Sequence, residues 1–236
     1  MSINELLWNI VLMLLCYVYV IVVILVSGKF EKMARVSRKT SRKFLHIMIG
    51  NLPFVIPFFT VGFFPGLVAA PFIFLTLLAS PYSPLKGATA GMKGLSNITE
   101  EGHHLGLVFY AVSYTYLAFL FPSRAYVIAA GILPMAYGDA AAAIVGEKLG
   151  KRRYKIVARK SLEGSAAMFL VSFVSLALGL VFFSLFYGFS LVEKLVAALA
   201  AAGAATFVEG FSPMGFDNIT VPVFSVLVFL LCGGGA

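Results

Sequence analysis

Acidic residues are scarce in this chain: 10 Asp+Glu stand against 18 Lys+Arg in 236 residues, a formal net charge of +8. Charged residues of either sign make up only 12%. A soluble domain carries about a quarter, so a water-facing surface over most of the molecule is excluded. Cysteine is almost absent, and Cys16 and Cys232 both lie in apolar stretches. A disulfide framework and a thiolate metal centre are therefore excluded. Histidine occurs three times, as His46 and the pair His103-His104, without an HExxH spacing. A Walker A loop is missing too. Its nearest approach, Gly146-Glu-Lys-Leu-Gly150-Lys151-Arg152, has three residues between the glycines and Arg where Ser or Thr is required. Nucleotide binding of the P-loop kind is excluded. No basic n-region precedes Leu6–Val26, which is longer than a signal-peptide core, so a retained first helix is expected.

What is abundant is apolar: 61% of residues are hydrophobic, and the mean hydropathy is +0.98. This composition predicts an all-α polytopic membrane protein with about eight transmembrane helices. The segments run over 6–27, 44–62, 64–80, 104–121, 125–146, 165–187, 190–208 and 218–233. Pro53, Pro57, Pro65, Pro71 and Pro134 fall inside them and mark broken helices. The seventh is rich in Ala and Gly from Ala197 to Ala205, which suits close helix packing. With the N-terminus outside, eight crossings place loops 28–43, 81–103, 147–164 and 209–217 on the inner, cytoplasmic face. Those loops hold sixteen of the eighteen Lys+Arg, leaving Arg124 and Lys194 outside, as the positive-inside rule requires. The basic excess thus has a topological origin, and nucleic acid is not an expected partner. No repeat and no separate soluble domain is visible. We read 1–236 as one integral membrane domain: a first helix and basic loop over 1–43, and a catalytic helix bundle over 44–232.

Five constellations carry chemistry. Asp139 stands in an apolar segment between Gly138 and four alanines. A charge at a helix centre costs about 2.5–3.5 kcal/mol to insert, so a buried acid marks function by default. It is a Mg²⁺ ligand or a catalytic base, or else an interhelical hydrogen-bond partner. The basic loop 147–164 follows, ending in Lys160-Ser161-Leu162-Glu163-Gly164 before the sixth helix. A helix N-terminus with an adjacent Lys is a ready anion site; equally, Ser161 is a plain N-cap and Glu163 a dipole partner. The run from Glu209 to Pro222 sets Glu209 and Asp217-Asn218 around a Gly/Pro turn. Hard oxygens of this kind suit Mg²⁺ shared with phosphates, and Asp-Asn with Gly also makes ordinary turns. Arg42-Lys43-Phe44-Leu45-His46 opens the second segment, with Arg42 and His46 on one face, where His46 contacts phosphate, moves a proton or simply sits at the interface. Asn97-Ile-Thr-Glu100-Glu101-Gly102-His103-His104 precedes the fourth segment and has no tight zinc spacing. The sequons at Asn97 and Asn218 face inside in this topology and are discounted.

In this order the motifs resemble the CTP-dependent lipid-alcohol kinase family, comprising dolichol kinases, phytol kinases and CTP-dependent diacylglycerol kinases. The matching residues are Arg42-Lys43-x-x-His46, Gly138-Asp139-Ala-Ala-Ala with Gly146 and Gly150, Lys160-Ser161-Leu162-Glu163-Gly164-Ser165, and Asp217-Asn218-x-Thr220-Val221-Pro222. They span roughly 40–225. The compact length is more similar to the phytol kinase branch and short prokaryotic relatives than to long dolichol kinases. His103-His104 has no place in the pattern. The resemblance implies transfer of phosphate from CTP to dolichol, another polyprenol, phytol, geranylgeraniol or diacylglycerol, giving the lipid monophosphate and CDP. It implies CTP contacts at Lys155, Arg159, Lys160, Ser161, Glu163 and Gly164. On that reading Asp139, Glu209, Asp217 and Asn218 hold Mg²⁺, and Asp139, Lys160 and His46 take part in catalysis. The expected partners are CTP, a lipid alcohol, the bilayer and a second copy of the chain. The expected location is the cell membrane of a prokaryote, or the endoplasmic reticulum or plastid membrane of a eukaryote. Two alternatives are weighed against this. A CTP:phosphatidate cytidylyltransferase is similar in setting, but its C-terminal signature ends in Asp-Arg-x-Asp, where this chain reads Gly215-Phe-Asp217-Asn218-Ile-Thr220. An anion transporter, with Asp139 coupling protons, leaves the convergence of polar motifs on one face without a reason.

Overall fold

The computed structural model describes residues 2–34, 38–83, 105–213 and 215–235. Asn97, Glu100, Glu101, His103 and His104 lie outside the described residues, as do Lys86 and Lys93.

The described chain is helical apart from one small hairpin. The helices are α1 (Ile3–Ala34), α2 (Arg38–Ile49), α3 (Phe64–Ala79), α4 (Gly106–Leu120), α5 (Ala125–Leu133), α6 (Asp139–Leu149), α7 (Leu162–Phe183), α8 (Leu191–Phe211) and α9 (Asp217–Phe229). A π-helical turn, Pro134–Gly138, joins α5 to α6, so Ala125–Leu149 runs as a single span. Among the described residues five helices are long and apolar enough to cross a membrane: Ile3–Lys29, Ala125–Leu149, Leu162–Phe183, Leu191–Phe211 and Asp217–Gly234. Phe64–Ala79 and Gly106–Leu120 are apolar but shorter. The protein is thus an all-α membrane protein in its main architecture.

The stretch 44–62, expected as one span, is built otherwise. Its start belongs to α2, whose first turns are basic and whose later turns are apolar. The chain bends at Gly50-Asn51 and continues as a short 3-10 helix, Leu52–Phe58, containing Pro53 and Pro57. Each proline lacks an N–H and collides with the preceding turn, which stops a continuous α-helix here. The loop 147–164 also departs from expectation. It contains an antiparallel hairpin, β1 (Arg153–Lys155) and β2 (Arg159–Ser161), with Tyr154 paired to Lys160.

Burial places the core. The Ala125–Leu149 span is 78% buried, whereas the first span is 22% buried. The former is the central post and α1 an outer helix. Every residue of α5 is buried, and α4, α7 and α9 pack around it. A wholly apolar helix with no polar face belongs in such an interior. Where α2 ends, a Cβ on Gly50 would lie 2.5 Å from the Ala136 Cβ. Only glycine lets the bend approach the π-turn this closely.

Candidate active site

Asp139 begins α6, one residue past the π-turn, at a place where the post is held tightly against α7. A Cβ at Gly138 would fall 2.1 Å from Ser172 Oγ and 2.8 Å from Met168 Sδ. Single π-turns shift the register of a helix and recur at functional sites; here one hands a buried carboxylate to the end of the bundle. Lys43 of α2 donates to Asp139 Oδ2. Both are buried, with relative exposures of 6% and 7%. Two opposite charges out of water are tolerable only as a pair.

A second pair lies alongside. Lys160, projecting from β2, donates to Glu209 Oε1 near the end of α8. Burial disfavours the charge on Lys160, but Glu209, Asp139 and Asp217 together outweigh it and hold the ammonium pKa above its ordinary value. Lys160 is therefore a fixed cation at neutral pH. Its influence by both Asp139 and Asp217 joins the two pairs into one electrostatic unit.

Asp217 stands at the start of α9. Its Oδ1 accepts from the Asn218 N–H at 3.0 Å and from Asn218 Nδ2 at 3.2 Å. Among the described residues it has no salt bridge. Asn218 Nδ2 also donates to the Gly215 carbonyl at 3.1 Å, and Ser113 Oγ donates to the Asn218 carbonyl at 2.6 Å. Gly215 has φ +87°, a left-handed turn that glycine adopts freely. Ser212 and Thr220 hydroxyls meet at 2.6 Å across the same turn. These bonds lie where α8 gives way to α9, and Glu209 and Asp217 line the same cavity. Asn218 Oδ1 is buried and has no hydrogen-bond partner among the described residues.

These groups line one cavity of ≈ 540 Å³, within the usual range for small-molecule and cofactor sites. Its cations are Arg42, Lys43, Arg153, Arg159 and Lys160, and its acids Asp139, Glu147, Glu209 and Asp217. Ser161 and Gly164 also line it, whereas Lys155, Glu163, Asn218 and His46 are not among its lining residues. Ser161 caps α7, its Oγ accepting from the Gly164 N–H at 3.1 Å. The same Oγ would be 3.1 Å from a Cβ at Gly146 and 2.8 Å from one at Gly150, so these glycines seat the α6 end against the cap. Glu163 turns away: its carboxylate accepts the backbone N–H of Lys151 and of Arg152, each at 3.2 Å, and ties down the start of the hairpin. His46 is buried, its ring edge-on to Tyr110 with centroids 4.9 Å apart. Lys43, Arg153 and Glu147 had no role assigned from sequence.

The cavity and its helical setting define a membrane-embedded protein with a preformed cavity lined by charges of both signs. No protein-family model matches the chain, and no solved structure matches it. Curated proteins do. It is 32% identical over 214 residues to the phytol kinase of Synechocystis sp., covering 89% of this chain and 86% of that protein. It is 32% identical over 204 residues to the probable chloroplastic phytol kinase 3 of Glycine max, covering 81% and 62%. With the dolichol kinase EVAN of Arabidopsis thaliana it shares 25% identity over 234 residues, covering 92% and 40%. The chain belongs to this phytol and dolichol kinase family, and is a lipid-alcohol kinase of the membrane.

Proposed function

We propose that the protein transfers the γ-phosphoryl group of CTP to the hydroxyl of an isoprenoid alcohol, phytol or a related prenyl alcohol, releasing CDP. The observation that carries the reading is the convergence of Lys43, Lys160, Asp139, Glu209 and Asp217 on one cavity. Phosphoryl transfer demands little covalent chemistry from a protein and much positioning and charge neutralisation. Lys160 and Arg159 face the triphosphate and offset the charge that develops as the bond between the γ-phosphorus and the β-bridging oxygen breaks. The alcohol oxygen attacks the γ-phosphorus, and its proton passes to Asp217, the carboxylate without an ion pair among the described residues. Lys43 holds Asp139 in place. Ser161 and Gly164 line the cavity where α7 begins and lie against the phosphates.

The donor set also fits Mg²⁺. Asp139 and Glu209 line the cavity and supply hard oxygens, leaving Asp217 to accept the proton. Mg²⁺ is commonly held by one or two carboxylates together with nucleotide phosphates. When bound it would neutralise the β- and γ-phosphate oxygens. The basic residues of the flanking loops support a cytoplasmic position for this cavity, with the N-terminus outside.

One experiment tests the reading. Purified protein is given γ-labelled CTP, α-labelled CTP or γ-labelled ATP with Mg²⁺ and a panel of phytol, geranylgeraniol, dolichol and diacylglycerol. Label from the γ position of CTP should enter a prenyl alcohol. Label entering lipid only from the α position would make the protein a cytidylyltransferase and defeat the proposal.

A further inference from the structure

A second cavity, of ≈ 50 Å³, lies between α1, α2, α3 and α4, where apolar side chains such as Val20, Ile49, Phe72 and Leu107 surround it. Thr76, Tyr110 and Tyr114 bring hydroxyls to its wall. Thr76 Oγ1 donates to the Phe72 carbonyl at 2.6 Å, and Tyr110 Oη donates to the His46 carbonyl at 3.1 Å. The rest of the wall is apolar, and apolar cavities stay dry and take apolar occupants. Ala69 and Ala111 are the smallest side chains in that wall.

Its position relative to the polar cavity is the second observation. Both cavities use α2. Arg42 and Lys43 line the charged one, and Leu45 and Ile49 line the apolar one. Along a helix these positions are about 3–10 Å apart. His46 lies between them, with its ring against Tyr110, which lines the apolar side. One helix therefore presents a charged turn and then an apolar turn, the pattern that matches an amphiphile's head and the start of its tail.

We propose that this apolar cavity receives the methyl branch of the hydroxyl-proximal unit of the alcohol substrate, and that Ala69 and Ala111 set how much branching is accepted there. The inference rests on the lipid-alcohol kinase reading and adds where the chain goes. The volume is about a third of the apolar cavity that takes a benzene ring. That is room for one methyl-sized branch, so the remainder of a prenyl chain leaves between helices into lipid. Discrimination is then made at the first unit and is indifferent to total chain length.

The test combines kinetics with photolabelling on the full chain. Ala111→Leu and Ala69→Leu should each raise KM for a branched prenyl alcohol by about tenfold or more, while KM for CTP stays within about twofold of wild type. The unchanged nucleotide KM reports an intact fold. Separately, a prenyl alcohol carrying a diazirine on its first isoprene unit should label residues of α1 to α4 around this cavity in the wild type, and excess unlabelled alcohol should prevent it. Labelling confined to α7 or α8, or an alcohol KM within about twofold of wild type in both variants, overturns the site. Labelling of the cavity in a protein that transfers no phosphate would defeat the kinase reading and leave the alcohol site standing.

Discussion

Removing one partner of the Lys43–Asp139 pair separates what the pair does for the fold from what it does for the reaction. Both side chains are nearly inaccessible, at 8% and 10%, so screening by solvent is small. Asp139→Leu leaves a buried ammonium without its carboxylate, and Lys43→Met leaves a buried carboxylate without its ammonium. Breaking a buried pair in this way costs about 3–5 kcal/mol. The double variant, Lys43→Met with Asp139→Leu, has no stranded charge and roughly conserves volume. Replacing a buried pair by apolar groups is often neutral, so the double variant should cost about 1 kcal/mol or less, and the coupling between the two sites (the single costs summed, minus the double) should be about 5 kcal/mol or more. Activity should behave differently. If Asp139 acts on the nucleotide phosphates and their cation, all three variants should lose nearly all turnover, the double included. The measurements are chemical unfolding in detergent micelles, followed by tryptophan and tyrosine fluorescence, and label transfer from CTP at saturating alcohol. A double variant that regains both stability and turnover would refute the catalytic role. Single variants that unfold like wild type would refute the pairing.

Lys160→Ala should leave Glu209 buried and unpaired, weaken CTP binding and lower kcat by about 10²-fold or more, as removal of a charge-stabilising donor does elsewhere; kinetics against CTP concentration measure it. Gly138→Ala places a Cβ 2.1 Å from Ser172 Oγ, so α6 and α7 must separate, at a cost of about 1–3 kcal/mol read in the unfolding midpoint, and Ser172→Ala in the same chain should restore part of it. Glu163→Gln weakens the tie to Lys151 and Arg152 without touching the cavity, so it should move proteolytic sensitivity of the hairpin more than KM for CTP. Lys160 has its pKa raised above the ordinary 10.5. The Lys160 charge therefore contributes its full stability below about 10.5 and loses it only as pH climbs through the raised value. Stability should stay flat through neutral pH and fall in the alkaline range; a loss of the Lys160 contribution near pH 7, seen by comparing wild type with Lys160→Met, would contradict the assignment.

Much of this site was legible because charge in an apolar chain is conspicuous. Asp139 stood out against its alanines, and Glu209 and Asp217 stood out beside a glycine turn. What the sequence hid was partnership. Lys43 is the seventh cation of a basic run whose purpose is orientation, and nothing in its spacing separates it from Lys39. The structure separates it, because α2 is helical through Lys43 and carries its side chain inward to Asp139. Lys160 was legible as an anion ligand, but its hold on Glu209 was not, since the two are forty-nine residues apart, with α7 and most of α8 between them. The hairpin was concealed for the same reason as Lys43. Tyr154, Ile156 and Val157 favour strand, but a window crowded with Arg and Lys reads as solvated loop, and each strand is only 3 residues long. The fold also misled at the 44–62 stretch, where hydropathy averaged over Pro53 and Pro57 hides the break between α2 and the 3-10 helix.

The ion pairs also suggest why so charged a cavity is stable before any ligand arrives. Lys43 and Lys160 each hold a carboxylate, so two cations and two anions that would repel their own kind are already balanced. A nucleotide that brings phosphates with a divalent cation supplies both missing complements at once: its phosphates suit the lysines and its cation suits the carboxylates. Free phosphate or the cation alone satisfies only half of that exchange and strands the other half. Binding of CTP to the purified protein should therefore depend steeply on Mg²⁺, and Mg²⁺ binding should depend on CTP by the same factor, because coupling between two ligands is reciprocal. Calorimetric titration of each ligand in the presence and absence of the other measures both factors. Tight CTP binding in a chelating buffer, unchanged by added Mg²⁺, would show that the lysines release their carboxylates without compensation, and the exchange described here would be wrong.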